Sequence, residues 1–290
     1  MDLLDELEAR VVCGDGAIGT LLLNAGVPIE NCFEELCVSE PARIQRIHED
    51  YIAAGAQIIE TNTFGANRVR LGRFGFDNRV REINQAAVAV AKRAAENKNV
   101  LVAGSVGPLG ITVANAATCG IDRPHCFREQ ITALLDAGVD AIFFETFTDF
   151  EEMDIALQAK NAVGDAAEIC SFACGSDKQL RCGTMLIDSF ARLRESGAKI
   201  VGLNCLNDPP GMAAILDKLP SLKGPLAVYP TAGNPRYENG RLNYDVTPES
   251  FATFARDIIT KGARLVGGCC GTTPAHIAAL AKMIKDLEPR

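Results

Sequence analysis

The chain has 290 residues, 48% of them hydrophobic and 23% charged, with a formal net charge of −8 at neutral pH. That composition supplies a large core, and the acidic balance argues against a nucleic-acid partner or an anionic membrane surface, since both need clustered Lys and Arg. No apolar run is long enough to cross a bilayer and the opening "MDLLDELEAR" reads as an acidic helix rather than a signal segment, so a cytoplasmic protein with small-molecule ligands is expected.

Short apolar runs alternate with amphipathic stretches along the whole chain. "RVVCGDG" leads to a helix over Arg43–Ala54, "AQIIETNTF" to Arg81–Glu96, "NVLVAGSVGP" to Pro124–Ala137 and "DAIFFETF" to Phe150–Val163. "EICSFACG" is followed by Ile187–Ser196, "KIVGLNC" by Pro210–Leu219, "PLAVYPTAG" by Pro248–Thr260 and "RLVGGCCG" by Pro274–Leu287. Near-continuous hydrophobicity in the runs suits parallel strands covered on both faces. Thr before Pro in "TPES" and "TTPAH" suits a cap followed by the first helical residue. Gly in "SGAK", "KGAR", "DAGVD" and "AAGAQ" marks helix ends. Eight such units predict an α/β fold, a TIM (β/α)8 barrel, as one domain over 1–290. The longer segments Leu22–Pro41 and Leu109–Arg123 read as loops over the active face.

In such a barrel chemistry gathers where strands end and βα loops begin. The polar residues there are Asp15 and Gly16 after the first strand, Glu60, Thr61 and Asn62 after the second, and Ser105 after the third. Glu145 and Thr146 follow the fourth, Cys205 the sixth, Thr231 the seventh, and Cys269 with Cys270 the eighth. The cysteine total of 11 is odd, which fits poorly with a disulfide framework. Cys13, Cys32, Cys37, Cys119, Cys126, Cys170, Cys174 and Cys182 are expected to be small buried hydrophobes. Three thiolates suit zinc, and a catalytic zinc keeps a fourth position open. Strands six and eight both border strand seven, so Cys205 can meet Cys269 and Cys270; the alternative is three unrelated core cysteines at strand ends. His48 shares a helical stripe with Ile44, Ile47 and Tyr51 and reads as packing; His276 is expected on a helix surface, and His125 has no visible partner. "GDGAIG" has the spacing of a dinucleotide loop, but the next strand begins only near Gln57, too late for that fold.

The motifs "GDGAIGT", "GAQIIETNTFGAN", "GVDAIFFET", "GLNC" and "VGGCCGTTPAHIAAL" together resemble the homocysteine S-methyltransferase family, and the opening region is most similar to forms fused to a methylenetetrahydrofolate reductase. The resemblance implies a barrel that binds one Zn2+ through Cys205, Cys269 and Cys270 and transfers a methyl group to homocysteine, giving methionine. It implies that Asp15 and Glu145 hold the substrate ammonium, that backbone N–H groups of the first loop around Gly16 take the carboxylate, and that Glu60 orients the substrate, with Thr61 and Thr146 beside them. Relatives carry Asn where this sequence has Thr231, so the resting fourth zinc ligand is expected to be water. The donor implied is S-methylmethionine, S-adenosylmethionine or betaine, or methylcobalamin or methyltetrahydrofolate on a partner. The rival readings are a methyltransferase for another thiol or donor, and a non-catalytic zinc-binding barrel serving a corrinoid protein or reductase.

The chemistry is consistent with those groups. A free thiol is only a few per cent thiolate at neutral pH, and a coordinating metal removes its proton outright. A carboxylate pair recognises an ammonium through charge-assisted hydrogen bonds.

Overall fold

A computed structural model describes residues 2–220, 223–238 and 241–287. The single-domain reading of 1–290 extends past these bounds, and residues 1, 221–222, 239–240 and 288–290 lie outside the described residues.

All eight apolar runs become parallel strands: β1 (Val12–Cys13), β2 (Ile58–Glu60), β3 (Leu101–Val106), β4 (Ala141–Phe147), β5 (Ala167–Phe172), β6 (Ile200–Asn204), β7 (Leu226–Tyr229) and, after an intervening hairpin of β8 (Pro235–Glu238) and β9 (Arg241–Tyr244), β10 (Ala263–Val266). The sheet runs β1-β10-β7-β6-β5-β4-β3-β2. Its two ends meet through a bridge between Gly14 and Ile58, with the Gln57 N–H donating to the Cys13 carbonyl at 2.8 Å and the Cys13 N–H donating to Gln57 Oε1 at 2.9 Å. The result is the closed barrel anticipated from the alternation of strands and helices.

Alternate residues of each strand face opposite ways. Val12, Ile58, Leu101, Ala103, Ala141, Phe143, Ile169, Ile200, Ala227, Tyr229 and Leu265 fill the barrel, while Leu3 and Leu7 of helix Leu3–Ala9 join the same cluster from the N-terminal end of the strands. Cys13, Ile59, Val102, Phe144, Cys170, Val201, Val228 and Val266 face the surrounding helices. Thr247 caps helix Pro248–Thr260 by accepting the Ser250 N–H, and Gly197 and Gly262 end their helices with positive φ, as the sequence signals require.

Three expectations need correction, and one element was not foreseen. The segments read as loops contain short helices, Gly19–Asn24 and Leu36–Ser39 in the first and Val113–Thr118 in the second. The β8–β9 hairpin had no sequence signal, because "PRYE" is exposed throughout and offers no apolar alternation. Cys119 and Cys182 are exposed rather than buried. His276 is buried: its Nε2 lies 2.9 Å from the Val246 carbonyl, its Nδ1 2.9 Å from Thr273 Oγ1, and its ring meets Phe251 edge-on. The chain leaving the hairpin packs over the first turn of the last helix, so this histidine is enclosed. His48 is fully buried as expected, without a hydrogen-bond partner among the described residues.

Candidate functional site

The three strand-end cysteines converge because both of their turns hang from the exit of β7. The Cys205 N–H donates to the Tyr229 carbonyl at 2.9 Å and the Cys269 N–H to the Pro230 carbonyl at 2.8 Å, while the Cys270 carbonyl accepts from Ala232 N–H at 2.9 Å. Cys205 and the following Leu206 both adopt a φ of 60, a left-handed conformation uncommon outside glycine and concentrated at functional sites. Side by side in sequence, Cys269 and Cys270 would point apart on a continuing strand; here the strand has ended, and both reach the same point. Cys205 Sγ lies 3.9 Å from Cys270 Sγ, and the three sulfurs all lie within 4.8 Å of one another.

The three thiols act on one another. Hydrogen bonds from the Cys269 and Cys270 thiols push Cys205 down to about 3. Donating to that thiolate raises its partners, Cys270 to about 12 and Cys269 well above the usual thiol range, with burial adding to both.

Beside it opens a cavity of about 360 Å³ whose wall includes Cys205, Cys269, Cys270, Glu60, Glu145 and Tyr229. Gly16, Thr61 and Thr146 also line it. Glu145 accepts a short hydrogen bond from Ser105 Oγ. Burial raises both carboxyls; the charges of Glu145 and Asp15 raise Glu60 further, whereas the Ser105 hydrogen bond tempers the rise at Glu145. No Lys or Arg lies among the lining residues. Three acids, Glu34, Glu60 and Glu145, line a cavity that has no lining cation, an arrangement complementary to a positive charge.

Asp15, expected to hold the substrate ammonium, stands directly behind Glu60. It does not line the cavity; its carboxylate accepts the Glu60 N–H at 2.9 Å, and it is buried, which raises it, with the charge of Glu145 adding to the rise. Asp15 therefore meets the cavity through Glu60. Thr61 Oγ1 is committed to Thr63 Oγ1 and to the Ser105 N–H, tying β2 to β3. Thr146 exchanges two hydrogen bonds with the Asn204 amide, at 2.8 and 2.7 Å, and carries a positive φ of 62. Thr231 lies off the cavity wall, its hydroxyl donating to the Gly233 carbonyl at 3.1 Å.

Sequence reasoning missed Phe33, Glu34, Phe64, Phe143, Asn204 and Tyr229, all of which line the cavity. Glu34 reaches it from the first long loop, where its Oε1 accepts the Gly65 N–H at 2.7 Å; nothing local signals this. Asn204 and Tyr229 were detectable as the last residues of β6 and β7.

The family model described as homocysteine S-methyltransferase matches residues 12–284. Methionine synthase of Mycobacterium tuberculosis is 34% identical over 99% of this chain, and its counterpart in Mycobacterium leprae is 33% identical over the full chain. The chain spans about a quarter of the length of these curated relatives, 26% in each case. Among solved structures, the metallated form of the homocysteine methyltransferase MmuM from Escherichia coli superimposes with a TM-score of 0.76 at 30% identity, covering 96% of this chain and 99% of that one.

Proposed function

The chain belongs to the homocysteine S-methyltransferase family, and from that premise we propose that it transfers a methyl group to the sulfur of homocysteine, using a zinc ion held by Cys205, Cys269 and Cys270 in one homocysteine-binding barrel. The observation that carries this reading is the convergence of three sulfurs on one wall of a cavity whose other wall presents Glu60 and Glu145. Zinc–sulfur bonds of about 2.3 Å in a tetrahedral site require sulfurs roughly 3.8 Å apart, and the Cys205–Cys270 separation is 3.9 Å. An all-thiolate donor set favours zinc over the harder divalent ions. Bound there, zinc would supply a Lewis acid that keeps a substrate thiol deprotonated at neutral pH.

The remaining work falls to the chain's own side chains. Glu60 and Glu145 receive the substrate ammonium, an arrangement that relieves the crowding of their own charges. Ser105 fixes the orientation of Glu145, and Asp15 that of Glu60. Phe33 and Phe64 line the same cavity and exclude water from it. The deprotonated substrate sulfur attacks the methyl carbon; the new S–CH3 bond forms as the donor–CH3 bond breaks, its electron pair leaving with the donor.

Metal analysis and turnover test the reading together. Purified protein is expected to hold one zinc per chain and to form methionine from homocysteine with at least one of S-methylmethionine, S-adenosylmethionine, betaine, methylcobalamin or methyltetrahydrofolate. Zinc-loaded protein that yields no methionine across that panel, with or without a corrinoid partner, refutes the catalytic reading.

A further inference from the structure

Strand β4 loses its alternation where it reaches the cavity. Ala141 and Phe143 point into the barrel, and Ile142 and Phe144 toward the helices. Strict alternation would put Phe147 inside with Ala141 and Phe143, yet it lies on the helix side, its ring edge-on to Phe144. The phase slips because Glu145 and Thr146 together stand opposite Ser171 alone: Phe144 pairs with Cys170 and Phe147 with Phe172. This is a β-bulge, which leaves its extra residue without a ladder partner and re-aims side chains. Here Glu145 and Thr146, neighbours in the chain, both line the cavity.

The bulge is held in an unfavourable backbone state. Thr146 has a φ of 62 and is the only β-branched residue among the described non-glycine residues with positive φ. Branching at Cβ makes that conformation a genuine outlier. Such strain persists only where the surroundings over-determine it, and it clusters at functional sites.

Asn204 is what over-determines it. Its Oδ1 accepts the Thr146 N–H at 2.8 Å and its Nδ2 donates to Thr146 Oγ1 at 2.7 Å. Asn204 belongs to β6, two strands away from β4, and stands one residue beyond Leu203, the last β6 residue paired to β5. Its side chain therefore reaches past the end of β5 and supplies the partner that the bulge took from Thr146. At 1% exposure, the residue directs both the donor and the acceptor of its amide to Thr146. The next residue is Cys205, so one position joins the cysteine turn to the backbone that carries Glu145.

Resting on the ammonium-receiving role given above to Glu145, we infer that Asn204 is a positioning residue for substrate selection. By pinning Thr146 in the left-handed conformation it keeps the Glu145 carboxyl turned to the amino group of an amino-acid thiol, and so it acts on the amino end of the substrate rather than on the sulfur. Isothermal titration of zinc-loaded protein tests this with homocysteine and with 4-mercaptobutyrate, which is homocysteine without its amino group. Asn204→Ala is expected to keep its zinc, to bind homocysteine about tenfold more weakly and to bind 4-mercaptobutyrate as wild type does. Adding Thr146→Gly to Asn204→Ala should restore homocysteine affinity to within about threefold of wild type, because glycine holds a positive φ without a brace. A loss caused by a hole in the packing would not be restored that way. Should Asn204→Ala fail to fold, Thr146→Val, which keeps the branch and loses the hydroxyl, should show the same selective loss for homocysteine. Zinc loss, unchanged homocysteine affinity, an equal loss for both thiols or no recovery with Thr146→Gly overturns the proposal. A wild type that binds both thiols equally refutes the ammonium role of Glu145 and takes this inference with it; one that prefers homocysteine but makes no methionine refutes catalysis and leaves this inference standing.

Discussion

The two ends of the barrel treat buried carboxyls in opposite ways. At the N-terminal end, Glu168 near the start of β5 is 1% exposed and fully answered from within the chain: Lys160 Nζ lies 2.5 Å from its Oε2, and the Lys199 N–H donates to its Oε1 at 2.8 Å. At the mouth, Asp15 is equally buried, and it stands with Glu60 and Glu145 beside a cavity lined by no cation. Paired, a buried acid is a structural member. Left without a counter-charge, it is complementary to something that arrives from outside.

The strongest way to break this comparison is to remove the chemistry from the mouth while leaving the frame alone. Cys205→Ala is expected to lose zinc, measured by elemental analysis, and to lower methionine formation at least about a thousandfold while the circular dichroism spectrum is retained. A variant with full zinc and full rate would show the ligand assignment to be wrong.

Two single changes then set the ends against each other. Lys160→Met should cost about 3–5 kcal/mol in urea unfolding, because it strands Glu168 in the core. Glu145→Gln, which removes a carboxylate in no ion pair among the described residues and keeps an oxygen for Ser105, should leave unfolding within about 0.5 kcal/mol of wild type yet raise the homocysteine KM roughly thirtyfold. If Glu145→Gln destabilises the fold as much as Lys160→Met, the distinction between the two ends fails.

A smaller effect comes from a buried base in the frame. Burial pushes His48 down to about 4 from its usual 6.5. Above pH 6.5 the folded and unfolded chains both hold it neutral. As pH falls from 6.5 toward 4, the unfolded chain takes up a proton that the folded one refuses, so stability declines. Between pH 7.5 and 5 this amounts to about 2 kcal/mol. Urea unfolding of wild type and His48→Leu at both pH values should show the wild type losing that much more, and parallel losses would remove His48 from the account.

The frame was more legible in the sequence than the mouth, for physical reasons. The strands announced themselves because each is covered on both faces, and helix Pro248–Thr260 matched to the residue while the last helix starts at Pro274 as read, because Thr–Pro marks both starts. The hairpin was silent because neither of its strands is covered in that way. Among site residues, the cysteines and Glu60 stand at strand ends where their motifs put them. Asp15 stands beside Glu60 and accepts its backbone N–H, a relation that residue type does not encode. Tyr229 was passed over as an aromatic in an apolar run; only its inward phase at the end of β7, with Gly14 and Gly267 opposite, sets it apart.

The carbonyls of Tyr229 and Pro230 act as a rail from which both cysteine turns are suspended. Main-chain hydrogen bonds therefore fix where the two cysteine turns stand relative to each other, so the three sulfurs hang from a frame that belongs to the barrel itself.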